Sequence, residues 1–244
     1  MKLGRILTAA SAVVALASSL AVAGPTGQIN IPSTDAKALQ EVTISINNYA
    51  RFSSAADAGA NSYGIGVVTG LLPFEKLKLE VGADYTTSGV GSVYPFSFNA
   101  KLATAEDALF TGLPAFAVGA YNLGTISAAY PQNIVYGLVA KTLPVVGRIS
   151  AGGYNGAERS LGKKVNNGVL ASWDRTISEV SDKLWLGVDY MSGRNADGEV
   201  SFGGSWSFTK QVTLLAGITV PNPGQSTLPG GKPSFTTQLS VNLP

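Results

Sequence analysis

The sequence contains neither cysteine nor histidine. Without cysteine there are no disulfides and no thiolate metal sites. Without histidine it lacks the commonest general base and the commonest metal ligand, so any catalysis would fall to carboxylates, Lys, Tyr or Ser. Charge is scarce too. Asp, Glu, Lys and Arg make up 13% of the chain, about half the usual share of a soluble domain. No basic stripe exists, which argues against a nucleic-acid partner. Mean hydropathy is +0.21, yet nothing beyond the first residues holds the roughly 18–20 continuous apolar residues of a membrane helix.

The first residues carry the one apolar run. Lys2 and Arg5 precede Ile6 to Ala21, and Ala21-Val22-Ala23 is an A-x-A-like cleavage site before Gly24. Residues 1–23 therefore read as a secretory signal. Removing its two cations leaves the mature chain formally neutral, since the whole sequence has 17 basic and 15 acidic residues. Residues 24–38, GPTGQINIPSTDAKA, show Pro and Gly punctuation without alternation. They predict an irregular segment on the periplasmic side or tucked into a barrel mouth.

Residues 39–244 are dominated by period-2 alternation. In Gly198–Val220, Val200, Phe202, Trp206 and Phe208 alternate with Ser201, Gly203, Ser205 and Ser207. After a Thr209-Lys210-Gln211 break, Val212, Leu214, Ala216, Ile218 and Val220 alternate with Thr213, Leu215, Gly217 and Thr219. This is a β-hairpin with arms of roughly ten residues, a length that spans a bilayer when tilted. Similar strands are predicted at about 41–52, 63–71, 77–85, 94–102, 116–122, 134–141, 148–154, 168–174, 183–190 and 234–243. Thr104 to Asp107 has the residues to cap a helical turn, and Gly152-Gly153 permits a bulge. High Gly, low charge and about twelve such strands predict an all-β fold: a transmembrane antiparallel up-and-down β-barrel.

Charge decides which face meets lipid. Glu41, Arg51, Lys78, Glu80, Asp84, Lys101, Lys141, Arg148, Asp174, Lys183 and Asp189 all take the parity opposite the apolar residues. They are the candidate lumen-lining residues, with Arg175 a strand-end exception. On this reading Ile134, Tyr136, Leu138 and Ala140 face lipid, and Gly64, Gly66, Gly82, Gly137, Gly187, Gly203 and Gly217 face inward. Leu170, Trp185, Met191 and Leu215 also fall inward, which suggests a partly packed interior. Tyr85, Tyr94, Tyr190 and Trp206 lie near strand ends, as interface aromatics do.

The pattern resembles bacterial outer-membrane barrels along the mature chain. That resemblance implies outer-membrane lipid as surroundings and the barrel-assembly machinery as a partner. The last strand resembles their C-terminal insertion signal but ends Val241-Asn242-Leu243-Pro244 instead of on an aromatic. The run Pro25-Thr26-Gly27-Gln28-Ile29-Asn30-Ile31-Pro32 resembles the opening of YjbH-like exopolysaccharide-associated outer-membrane proteins. Outer-membrane phospholipases, lipid A deacylases, palmitoyltransferases and omptin-type proteases share a catalytic histidine that this chain lacks. Neither a cofactor nor a metal is expected, since Lys78, Glu80 and Asp84 offer too few oxygens for Ca²⁺. Two readings stay open: a passive, weakly selective channel for a small polar solute, or a non-conducting structural or adaptor barrel that assists surface polysaccharide export or anchors a partner.

Overall fold

The structure, a computed structural model, describes residues 27–55, 61–87, 96–124, 126, 132–224 and 232–243. The expected signal at 1–23, the Pro25 and Thr26 of the opening run, and Tyr94 lie outside them. Twelve strands form: β1 (Val42–Arg51), β2 (Ser62–Gly70), β3 (Lys78–Thr87), β4 (Phe96–Thr104), β5 (Ala115–Leu123) and β6 (Ile134–Leu143), then β7 (Gly147–Asn155), β8 (Asn167–Thr176), β9 (Leu184–Met191), β10 (Glu199–Ser207), β11 (Val212–Pro221) and β12 (Ser234–Leu243). Each pairs antiparallel with its chain neighbours, and β1 pairs with β12 to close the barrel. Closure leaves no strand edge, the condition for a sheet in hydrocarbon, where unpaired backbone groups find no water. Among the described residues no helix is long and apolar enough to cross a membrane.

The outward rows are apolar and uncovered. Phe96, Val118, Val169 and Val135 are all more than half exposed, from 51% to 64%. Tyr85 and Phe96 meet edge to face with ring centroids 5.3 Å apart. Leu170, Leu215 and Ile134, on the inward rows, are at most 2% exposed. A greasy belt outside and polar rows inside is the arrangement lipid imposes. Connections at one end, such as 144–146 and 208–211, are short. At the other end they lengthen, as at 156–166.

Strand β6 departs from the expected facing. Ile134, Tyr136, Leu138 and Ala140 point inward and are buried, while Val135 and Val139 are exposed on the lipid side. Gly137 and Lys141 share that outward row. The reason is physical: both rows of IVYGLVA are apolar, so alternation carried no signal. Two smaller features also move. The helical turn is at Glu158–Leu161 rather than 104–107. The irregular register lies between β4 and β5, near Phe98 and Ala100, where Asn122 takes a φ of 51°. The Gly152-Gly153 region pairs regularly with both neighbours.

The facing of β6 is testable by urea unfolding in phospholipid vesicles. Val139→Arg puts a charge among acyl chains and should cost about 2–4 kcal/mol near mid-membrane. Leu138→Ala opens an interior cavity and should cost about 2–5 kcal/mol. Were the strand turned the other way, arginine at 139 would be tolerated in the lumen.

Candidate functional site

The lumen is filled unevenly. The inward rows of β6 to β9 bring Ile134, Tyr136, Leu138, Tyr154, Leu170 and Met191 into one apolar cluster, joined by Ala103 and Ala117 from β4 and β5. Ile31 of the N-terminal segment packs into the same cluster. The segment, expected on the periplasmic side or in the barrel mouth, therefore carries its tip at residues 28–31 into the barrel interior.

The segment enters at the end with the short turns, where Leu39 bridges Gly70 of β2. A Cβ on Gly70 would lie 2.0 Å from the Ala38 carbonyl oxygen, so this close passage demands glycine. Lys37 N–H donates to Glu80 Oε2 at 3.0 Å, and Lys37 Nζ donates to Asn242 Oδ1 at 3.1 Å. Further in, Arg148 Nη1 holds both oxygens of Asp35 at 2.8 Å, and its Nε donates to Asp174 Oδ1 at 2.9 Å. Enclosure by the wall pushes the Asp35 carboxyl up, but the Arg148 charge and hydrogen bond outweigh this and hold it below its ordinary range.

At the tip the chain reverses, with Gln28 N–H donating to the Ile31 carbonyl at 2.7 Å and Gly27 bridging Pro32. Asp189 Oδ2 accepts the N–H groups of Ile29, Asn30 and Ile31 at 2.7, 2.8 and 3.4 Å. Three converging N–H groups replace the water that this buried carboxylate has lost. The Asn30 amide donates to Glu199 and Ser201 and accepts from the Tyr49 hydroxyl at 2.8 Å. Gln238 donates to the Ile29 carbonyl at 2.7 Å, and Gln28 donates to Asp174 at 2.9 Å.

Beside the segment remains a cavity of about 950 Å³. Ser45, Asn47, Ser62, Thr86, Asn99 and Gln132 supply much of its polar lining. Of the sequence candidates, Arg51, Glu80, Asp84 and Lys101 line it. Asp174, Asp189 and Arg148 face inward but bind the N-terminal segment. Lys78 is half-buried on the inward row, near the turns. Three candidates sit elsewhere. Lys141 is on the outward row of β6, paired with Glu106 and Asp107 at 3.2 and 3.5 Å. Lys183 is exposed in the turn before β9. Glu41 is exposed before β1, where it accepts from Ala38 N–H at 2.8 Å.

Two lining carboxylates escaped the sequence reading. Glu199 opens β10 on the parity of Ser201 and Ser205, a signal that was present. Asp197 lies in the loop before it, outside any alternation. Glu80 and Lys101 neutralise each other at 3.5 Å deep in the cavity, so the part nearer the long loops holds Asp84, Asp197 and Glu199 against Arg51.

Asp189→Ala tests the anchoring. It strips the acceptor from three N–H groups, and each unsatisfied buried donor costs about 1–3 kcal/mol. By hydrogen exchange the amides of Ile29, Asn30 and Ile31 should lose protection while those of the β1–β12 pair keep it.

No family model matches the chain, and no curated protein matches it. The YjbH-like resemblance accordingly stays a resemblance of the short opening run. Solved structures do match. An outer-membrane channel from Pseudomonas putida F1 aligns at 11% identity over 90% of this chain and 99% of its own, with a TM-score of 0.52. Outer membrane phospholipase A from Escherichia coli aligns at 12% identity over 85% and 98%, with a TM-score of 0.45. The outer membrane protein Omp33 from Acinetobacter baumannii aligns at 12% over 86% and 100%, with a TM-score of 0.41. The likeness to the Pseudomonas channel is one of fold, and together with the apolar belt it makes this chain an outer-membrane-type β-barrel.

Proposed function

We propose that the protein is a channel of the outer membrane for small polar solutes, exported there by its signal at residues 1–23 and preferring cations to anions. The observation that carries this reading is the cavity of about 950 Å³, lined by polar and apolar side chains, that the N-terminal segment leaves beside it. Ser45, Asn47, Thr86, Asn99 and Gln132 among apolar neighbours such as Val68 and Met191 give a solute hydrogen-bonding groups along the wall, which favours hydrated passage. The excess of Asp84 and Asp197 over Arg51 refines the weak selectivity expected from mixed charge. Fixed carboxylates in a confined bore raise the local cation concentration. Reading the chain as non-enzymatic fits this proposal, since no histidine is available for the site chemistry discussed above.

A second reading, a non-conducting adaptor barrel, draws support from the apolar cluster and from the segment that crosses the lumen. Planar bilayers separate the two. The channel reading expects discrete unitary steps and, across a KCl gradient, a reversal potential of the sign set by cation passage. Asp84→Asn combined with Asp197→Asn should bring the cation-to-anion permeability ratio down toward unity. Silence from refolded, lipid-inserted protein would favour the adaptor.

Asp197 adds a pH dependence. Burial raises its carboxyl to about 6, with the Gln132 hydrogen bond working against the shift. Its charge is therefore lost as pH falls through about 6, and the cation preference should weaken over that range. The stability effect has the opposite sense. The folded state holds this proton more tightly than the unfolded chain, whose Asp titrates near about 3.9. The contribution of Asp197 to stability should thus fall as pH rises from about 4 to about 6. Asp197→Asn should flatten both trends, read by reversal potential and by urea midpoint.

A further inference from the structure

The tip of the N-terminal segment is held as a separate peptide would be. Its turn is closed by the Gln28-to-Ile31 bond. Its other hydrogen bonds go to wall residues, and all but that of Tyr49 reach partners at least 146 positions away. The wall offers three distinct features. One is the Asp189 carboxylate, cupped by three consecutive backbone N–H groups, an arrangement that recognises main chain in a turn rather than any side chain. The second is the apolar socket of Ala103, Ala117, Ile134, Leu138, Leu170 and Met191 that receives Ile31. The third is a polar socket in which the Asn30 amide has donor and acceptor both satisfied, by Glu199, Ser201 and Tyr49. Gln238 adds a donor to the Ile29 carbonyl. Main-chain bonds supply affinity here, and the two sockets supply specificity for Asn followed by Ile.

We propose that this wall is a peptide-binding site, that residues 27–38 are its tethered ligand, and that the same peptide supplied separately can occupy it. The segment then works as a displaceable plug whose departure widens the lumen. Only the electrical readout of this inference rests on the channel reading; peptide binding stands apart from it. The short tether makes the effective concentration of the segment high, so a free peptide competes only once the tethered copy is weakened.

The test weakens the ligand and leaves the wall intact. In the full chain, Asn30→Ala with Ile31→Asp removes the amide contacts and places a charge against the apolar socket. A fluorescently labelled synthetic peptide of residues 24–38 should then bind the refolded, detergent-solubilised variant, as read by anisotropy. The native chain should bind it at least tenfold more weakly. A peptide bearing the same two substitutions should not bind, and adding Asp189→Asn to the wall should weaken binding of the natural peptide about tenfold or more. In bilayers the unseated variant should show larger unitary steps that the natural peptide reduces.

Peptide binding without any conductance would keep this inference and remove the channel reading. Conductance equal to that of the native chain, with no peptide binding, would overturn the inference and leave the channel. Should the unseated variant fail to refold, Asn30→Ala alone gives the same decision, since it removes only the amide contacts to Glu199, Ser201 and Tyr49. That variant should bind the labelled natural peptide more tightly than the native chain does, and a peptide with the same substitution more weakly. Equal binding of both peptides to both chains would overturn the proposal.

Discussion

Hydrocarbon offers no hydrogen bonds, and that constraint organises the molecule. A chain that meets acyl tails must pair every backbone N–H and C=O within itself, and for strands this means a closed ring. The β1–β12 pairing runs through ten residue pairs from Val42↔Leu243 to Arg51↔Ser234, so the seam is as fully bonded as any internal hairpin. Closure in turn fixes the side chains. Each strand must alternate between lipid and lumen, and everything that cannot live in lipid is gathered into one enclosed space.

That enclosed space would be a poor core if it held only polar rows. The protein resolves the conflict by dividing it. On the β6 to β9 side the inward residues are large and apolar, and Ile31 completes their packing. On the opposite side small and polar residues leave the lumen unfilled. The N-terminal segment is the partition between the two halves, apolar at Ile31 and polar at Asn30 and Gln28. Its register against the wall is set by Asp189 and Asp174, each buried and each bonded to it. A buried charge tolerates only the partners that satisfy it. These two carboxylates therefore fix the segment in depth as well as in place.

Much of this was legible in the sequence, for reasons that differ by element. The hairpin of β10 and β11 could be read residue by residue because serine, glycine and threonine fill one parity and valine, phenylalanine and isoleucine the other. Strand β6 could not, because its lumen row faces an apolar cluster instead of water, and periodicity is blind when both sides are greasy. The inward facing of Asp84, Lys101 and Asp189 followed from parity, but their division of labour did not. Whether a carboxylate lines open space or binds a segment depends on where residues 27–38 go, and that segment has no period. Its contacts reach wall residues far along the chain, which a one-dimensional pattern cannot record.

The cavity's electrostatics follow from the same division. Glu80 spends its charge on Lys101 and on the Lys37 N–H, and Asp174 spends its own on Arg148, Trp185 and Gln28. Of the strand cations, Lys101 lies deep, Arg148 faces the segment and Lys141 faces outward, which leaves Arg51 in the upper cavity. Asp84, Asp197 and Glu199 are left with neutral hydrogen-bond donors, Asn99, Gln132 and Asn30 respectively. Amides orient and satisfy a carboxylate without cancelling its charge. Asp84 and Asp197 therefore face the upper cavity together with Arg51, while Arg148 and Lys37 hold the partition in place.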